Sequence, residues 1–323
     1  MNKKAVEIPE GKLFRDLEEQ KKMSIYKILY ESMLTKNKTE KKVVPVKVVG
    51  MKNQENFNEP EIQICAVCQY ADTDWVILVP AGYMGFEVDD NMNKNDKFRV
   101  YRSYIRNMLG ATIDIVVQGI VVDKKIASGS RIDAMQDQIR RNYFKSDANG
   151  KSRMERSFAQ KKPIDAKVVT VARSQVLVEV FGNILPVFAR DVSYRYIENL
   201  NDVVKVGDVV KILITRLAID KENKLIDMGI SIKEAKENTT LKNIKNYTIG
   251  SEFVGKVSSI NNGYFVQIGQ FDNGIDVFCK YVACPEIPNR GDKVIVRINI
   301  LDKEKGKAFG EILRISEPVA LVA

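Results

Sequence analysis

The chain has 323 residues, 45% of them hydrophobic, enough for two or three domains with apolar cores. It contains no histidine, which removes Ser-His and Cys-His nucleophiles, histidine metal ligands and the commonest general base near neutrality. The net charge of +9 is unevenly placed: residues 1–42 carry 11 Lys/Arg against 7 Asp/Glu, residues 131–162 carry 9 against 4, and the remainder is balanced.

Residues 1–42 form a basic extension. Leu13, Phe14, Leu17, Ile25, Ile28, Leu29 and Met33 recur at roughly helical spacing, which predicts a helix docked on whatever follows. The lysines near the N-terminus have no apolar segment behind them, and no apolar run reaches the roughly 18 residues that span a bilayer. A cytoplasmic protein without membrane contact is therefore expected.

Residues 43–130, 163–235 and 248–318 share one grammar of short β-branched runs. In each, a glycine opens a long alternating strand that ends in Asp and charged turn residues. The three instances are Gly110-Ala111-Thr112-Ile113 leading to Val122-Asp123-Lys124-Lys125, Gly207-Asp208-Val209-Val210 leading to Asp220-Lys221-Glu222-Asn223, and Gly291-Asp292-Lys293-Val294 leading to Asp302-Lys303-Glu304-Lys305. Gly-Asp starts a strand after a tight turn and the Asp-led tetrads make polar hairpins. Regular short strands with few helices argue for small closed barrels, repeated in tandem. Residues 131–162 read as a basic, partly helical connector, with Lys145–Lys151 as a flexible joint. Residues 236–247 read as a second linker and 319–323 as a tail. In the third segment, Asn261-Asn262-Gly263 turns an alternating strand into Tyr264-Phe265-Val266-Gln267-Ile268.

Cys65-Ala66-Val67-Cys68 has the spacing of a metal or redox pair but lies in an alternating run. Residues three apart on a strand face opposite sides, so the two sulfurs could not share an ion, and neither metal nor cofactor is expected.

The third segment, Gly250-Ser251-Glu252-Phe253-Val254-Gly255-Lys256-Val257, Gly263-Tyr264-Phe265-Val266, Gly274-Ile275-Asp276-Val277-Phe278 and Gly291-Asp292-Lys293-Val294, resembles the S-one RNA-binding domain of ribosomal protein S-one. The second is similar through Ala166-Lys167-Val168-Val169, Val180-Phe181-Gly182 and Ala189-Arg190-Asp191-Val192-Ser193. The first is a divergent echo in Val79-Pro80-Ala81-Gly82-Tyr83-Met84-Gly85-Phe86. The string Ala189-Arg190-Asp191-Val192-Ser193-Tyr194 is also like that of S-one-like proteins of phages and mobile elements of Gram-positive bacteria.

The resemblance implies a mainly β protein of tandem five-stranded OB-fold barrels, and non-catalytic binding of single-stranded RNA with a role in translation or RNA fate. In this family, barrel aromatics stack on bases and Lys or Arg neutralise phosphates. In the third barrel that implies a site among Tyr264, Phe265 and Phe278 with Lys280 and Arg297; of the adjacent pair, Tyr264 is expected outside. The second repeat lacks an aromatic on the equivalent strand and offers Arg173, Phe188, Arg190, Tyr194, Arg195 and Tyr196, although Tyr194 and Tyr196 equally suit packing on the barrel. The first offers Trp75 on the corresponding strand and a basic–aromatic loop with Arg99, Tyr101, Arg102, Tyr104 and Arg106. Arg140 and Arg141 lead the connector's phosphate contacts. The alternative is a structural or protein-interaction module, docking on the ribosome or within an assembly such as a phage particle.

Overall fold

A computed structural model describes residues 25–55, 62–71, 73–86, 88–89, 91–197, 199–260, 262–270, 273–283 and 285–318. Three five-stranded units follow one another. In the first, β1 (Val44–Glu55), β2 (Ile62–Gln69), β3 (Val76–Pro80), β4 (Thr112–Val121) and β5 (Ile126–Ser130) close in the order β1-β2-β3-β5-β4. The third closes identically from β11 (Glu252–Ile260), β12 (Tyr264–Ile268), β13 (Ile275–Val282), β14 (Lys293–Asp302) and β15 (Lys307–Glu317). The second has the same order, from β6 (Ile164–Val171), β7 (Gln175–Val180), β8 (Asn183–Phe188), β9 (Val209–Asp220) and β10 (Leu225–Ser231), with its last seam unpaired between β8 and β10. A three-stranded meander followed by a strand pair whose last member runs parallel to the third strand is the OB topology.

Alternation drives closure. Ile113, Ile115 and Val117 on β4, Val176, Val178 and Val180 on β7, and Val294, Val296 and Ile298 on β14 are all fully buried, at every second position. Each barrel has its own apolar core. The polar hairpins close as the Asp-led turns require. Asp220 accepts from the amides of Glu222 and Asn223, and Asp302 from that of Lys305. The last turn residue is left-handed in all three: Lys125, Lys224 and Gly306.

Residues 25–34 form helix α1, whose Leu29 enters the first core with Ile25, Ile28 and Met33 against it. Leu13, Phe14 and Leu17 lie outside the described residues. The expected basic–aromatic loop of the first barrel is instead helix α2 (Lys94–Asn107), which starts where the Asn93 side chain accepts from the Asp96 amide.

The connector holds α3 (Arg131–Ile139), which widens into a π-turn over Arg140–Phe144, and α4 (Arg153–Ala159). Lys145–Lys151 is not the flexible joint its composition suggests. Asp147 accepts from the amides of Asn149 and Lys151 and from Arg156, and Ser146 and Ser152 bridge across the turn. Among the described residues, no helix is long and apolar enough to cross a membrane.

Two ion pairs join consecutive barrels, the first buried on both sides and the second on its arginine. Arg131, at the start of α3, meets Glu179 of β7 at 2.5 Å and donates to the Met84 carbonyl at 2.9 Å. Arg195, after β8, meets Asp276 of β13 at 3.1 Å and donates to the Gln270 carbonyl at 2.7 Å. Burying such pairs is costly unless hydrogen bonds complete them, so they fix relative placement more than they add stability.

Candidate nucleic-acid interface

A one-residue bulge in the first hairpin of every barrel gives a common register. Val48 pairs Cys68 and then Gly50 pairs Val67; Val168 pairs Val178 and then Thr170 pairs Leu177; Val257 pairs Val266 and then Ser259 pairs Phe265. Val67, Leu177 and Phe265 are therefore equivalent. Following each row onward gives Leu78 and Ser128 in the first barrel and Pro186 in the second. In the third it gives Phe278 and Phe309. The bulge before the last strand aligns Gly229 of the second barrel with Phe309, through its pairing to Arg216 where Phe309 pairs Ile300.

One outward row of five-stranded barrel is thus aromatic only in the third repeat. Its Phe265 and Phe278 rings are 4.9 Å apart and tilted by 53°, and Phe278 and Phe309 are 6.3 Å apart and edge-on. All three rings remain partly or well exposed on a sheet whose other face is filled by Val266, Val277 and Ala308. Ring faces held side by side on a barrel exterior are the means by which OB domains hold bases of a single strand. Gly263 sits beneath the row: a Cβ there would lie 2.6 Å from Phe278 Cζ, so the turn can approach the ring only without one.

The structure corrects the choice within the third hairpin. Tyr264 is in phase with Val266 and Ile268 and packs on the core, so Phe265 is the outward member of the pair. Lys280 continues the outward phase of β13 two residues past Phe278 and is exposed. Arg297 is half-exposed but engaged by Glu252 at 2.7 Å and Glu311 at 3.6 Å; the Glu252 hydrogen bond raises its pKa further. Its charge is already neutralised within the barrel.

In the second barrel, Phe188 is exposed at the end of β8, with the Arg190 guanidinium 5.8 Å from its ring centre, and Arg173 is exposed in the turn between β6 and β7. Arg195 is 4% exposed and belongs to the inter-barrel pair, not to an open surface. Tyr194 has Lys233 Nζ 5.7 Å from its ring, and burial pushes its phenol pKa up. Tyr196 faces the third barrel: its amide donates to Asp276, its carbonyl accepts from Gln267, and its hydroxyl accepts from Arg290 at 3.3 Å.

In the first barrel Trp75 is 3% exposed and belongs to the core, just ahead of β3, so no stacking face is offered. Tyr104 stacks on Phe86 at 4.6 Å, and Arg102 and Arg106 are exposed on α2. Arg102, Tyr104 and Arg106 lie on a helix and not on the strands that carry the outward row. Arg140 and Arg141 both pair with Asp137, and both donate to carbonyls of the N-terminal extension, at Thr39 and Lys41. They clamp the extension to the connector. Cys68 enters the first core while Cys65 is buried outside it, and burial pushes the thiols of Cys68 and Cys279 up to about 12.

Phe309 was not singled out from sequence, although Lys307-Ala308-Phe309 alternates and a buried Ala308 puts its neighbour outside. Its importance comes from β15 pairing parallel to β13, a contact between strands that are not successive in sequence.

No family model matches the chain. A 4-hydroxy-3-methylbut-2-enyl diphosphate reductase of Clostridium acetobutylicum is 29% identical over 133 residues, covering 39% of this chain and 20% of that protein. The chain thus spans about a fifth of that relative's length. Among solved structures, a multidomain protein with nucleic acid binding domains from Streptococcus pneumoniae overlays with a TM-score of 0.18 at 11% identity, over 86% of this chain and 75% of that one. Drosophila Unr CSD456 overlays with a TM-score of 0.16 at 12% identity, over 85% and 97%. At such TM-scores the overlays add nothing to what the barrel topology shows.

Proposed function

We propose that this chain is a non-catalytic binder of single-stranded RNA whose principal base-stacking surface is the outer face of the third barrel. The observation that carries the reading is the in-register row Phe265–Phe278–Phe309, at positions where the first barrel has Val67, Leu78 and Ser128 and the second Leu177, Pro186 and Gly229. Three partly exposed phenylalanines cost solubility without adding to a core, and a stacked base gives them an apolar partner. The likeness of the repeats to the S-one domain supports RNA as the nucleic acid, acting in translation or RNA fate. The total lack of histidine agrees with binding in place of catalysis.

The test is fluorescence anisotropy of a labelled unstructured RNA of about 20 nucleotides, long enough to exceed one OB site, with single-stranded DNA of the same sequence alongside. Phe278→Ala is expected to weaken RNA binding by about 1–3 kcal/mol, roughly 5- to 150-fold, the range for one base–aromatic stack. Absence of binding by the intact chain at low salt, or equal binding by the Phe278→Ala variant, sinks the proposal. Tighter binding of DNA than RNA keeps the stacking surface and overturns the assignment of RNA.

A further inference from the structure

The aromatic row does not end at open solvent. Beside it, one step along the strands, lies the outward row Lys256–Gln267–Asp276. Two residues along a strand is about 6.7 Å. Asp276 is the residue that Arg195 grips, and Gln267 donates to the Tyr196 carbonyl at 2.8 Å. The inter-barrel pair therefore brings the second barrel's loop against the edge of the stacking surface. Between them is a cleft of about 770 Å³. Its walls carry Tyr196 from the second barrel, Lys236 from the start of the linker that follows it, and Lys256, Gln267 and Arg290 from the third.

This cleft has the makings of a nucleotide site. Its volume falls within the ~300–1,000 Å³ typical of pockets that bury small ligands. Tyr196 is 37% exposed, and its hydroxyl is steadied by Arg290, which leaves ring surface to solvent. The described lining carries three cations, Lys236, Lys256 and Arg290, against one carboxylate, Asp202. Neither Lys236 nor Lys256 meets a carboxylate among the described residues, in contrast to Arg297, which is held by two. An exposed aromatic among cations continuing a row of aromatics suits the backbone and the next base of one strand.

We infer that a single nucleic-acid strand stacked on the third barrel continues into the cleft between the second and third barrels. There Tyr196 stacks a further base, and Lys236, Lys256 and Arg290 take phosphates. The inference rests on the third barrel's being the stacking surface. It makes the binding site a composite of two barrels, completed by the Arg195–Asp276 contact. The second barrel, which lacks a stacking row of its own, contributes through its loop.

The experiment compares oligouridylates of about 6 and about 18 nucleotides, below and above the upper site size of one OB fold, on the full chain. Five proteins are used: the unaltered chain, Tyr196→Ala, Tyr196→Phe, Lys236→Ala and Phe278→Ala. The longer RNA is expected to bind more tightly than the shorter to the unaltered chain. Tyr196→Ala should cut that advantage by about tenfold or more and leave the shorter RNA's affinity unchanged, within the range of one lost stack. Lys236→Ala should lower the salt slope for the longer RNA by about 0.7, the value for one phosphate on a single strand. Tyr196→Phe keeps the ring and should retain the advantage, which separates stacking from loss of the loop's structure. Unchanged long-RNA binding in Tyr196→Ala and Lys236→Ala, with Phe278→Ala still defective, overturns the cleft and leaves the stacking surface standing. No effect of Phe278→Ala on either RNA removes the stacking surface and the cleft with it.

Discussion

At the scale of single residues, the third barrel's site depends on a side chain that is not there. Gly263 has φ of 146°, in the region that glycine enters without strain, and its Cα faces the Phe278 ring and the Cys279 carbonyl. Gly263→Ala is therefore expected to destabilise the chain by about 1–3 kcal/mol through backbone strain and to displace Phe278. Its RNA affinity should fall toward that of Phe278→Ala, read by anisotropy at a temperature where circular dichroism shows the chain folded. Affinity equal to that of the unaltered chain would show that the ring does not rest on this turn. The glycine was visible in the sequence as the end of an Asn-Asn-Gly turn, and its neighbour Tyr264 looked like the outward aromatic. Alternation alone gives opposite faces to Tyr264 and Phe265 without saying which is inside. The choice is made by the bulge at Ser258, which sets Val257 opposite Val266 and so puts Tyr264 in the inward phase.

At the scale of elements, the connector shows how local chemistry turns a polar run into structure. Ser152 accepts from the Glu155 amide, and Glu155 accepts from the Ser152 amide, a complete capping box at the head of α4. The Ser152 amide holds the Glu155 carboxyl below its ordinary value of 4.5. A group whose folded pKa is depressed contributes stability that is complete above the unfolded value and lost as pH falls through the folded one. Ser152→Ala should thus cost about 0.5–2 kcal/mol in urea unfolding at neutral pH. The Glu155→Gln variant should differ from the unaltered chain above about pH 4.3 and converge with it in stronger acid. A constant difference across that range would mean that the carboxylate's charge is not what the cap uses. The strands and their Asp-led turns were legible because each follows from a period of two and a few turn residues. Helix α2 reads as a basic–aromatic loop when only the order of its basic and aromatic residues is followed. The signal that identifies it is the helical spacing of Phe98, Tyr101, Ile105 and Met108, which face the first core, after Asn93 ahead of Asp96.

At the scale of the whole molecule, charge placement and barrel placement tell different stories. The basic excess of the connector promised phosphate contacts, yet Arg140, Arg141 and Arg156 answer Asp137 and Asp147, and Lys145 answers Glu40. Those cations hold the extension to the connector and brace the connector itself. What composition could not show is that a buried arginine in the second repeat and an aspartate 81 positions later would meet and define a cleft. Arg195→Ala leaves Asp276 without its guanidinium and frees the carbonyls of Gln270 and Ile275. Removing one partner of a fully buried pair costs about 3–5 kcal/mol; with Asp276 partly exposed the loss is expected to be smaller, and it falls on the contact between barrels and not on either core. The third barrel is expected to keep its apolar interior in this variant, because that core, with Val257, Val266, Val277 and Val296, is built from the barrel's own strands. Calorimetry is therefore expected to resolve a separate transition for the third barrel, and small-angle scattering a larger radius of gyration than in the unaltered chain. Six-nucleotide RNA, spanning about one OB site, should still bind, because Phe265, Phe278 and Phe309 stay in place. A single unchanged transition with an unchanged radius would show that the barrels are held by something other than this pair. If the third barrel separates, the advantage of the longer RNA should vanish with the cleft, because a strand can gain from two barrels only while they are held at one distance.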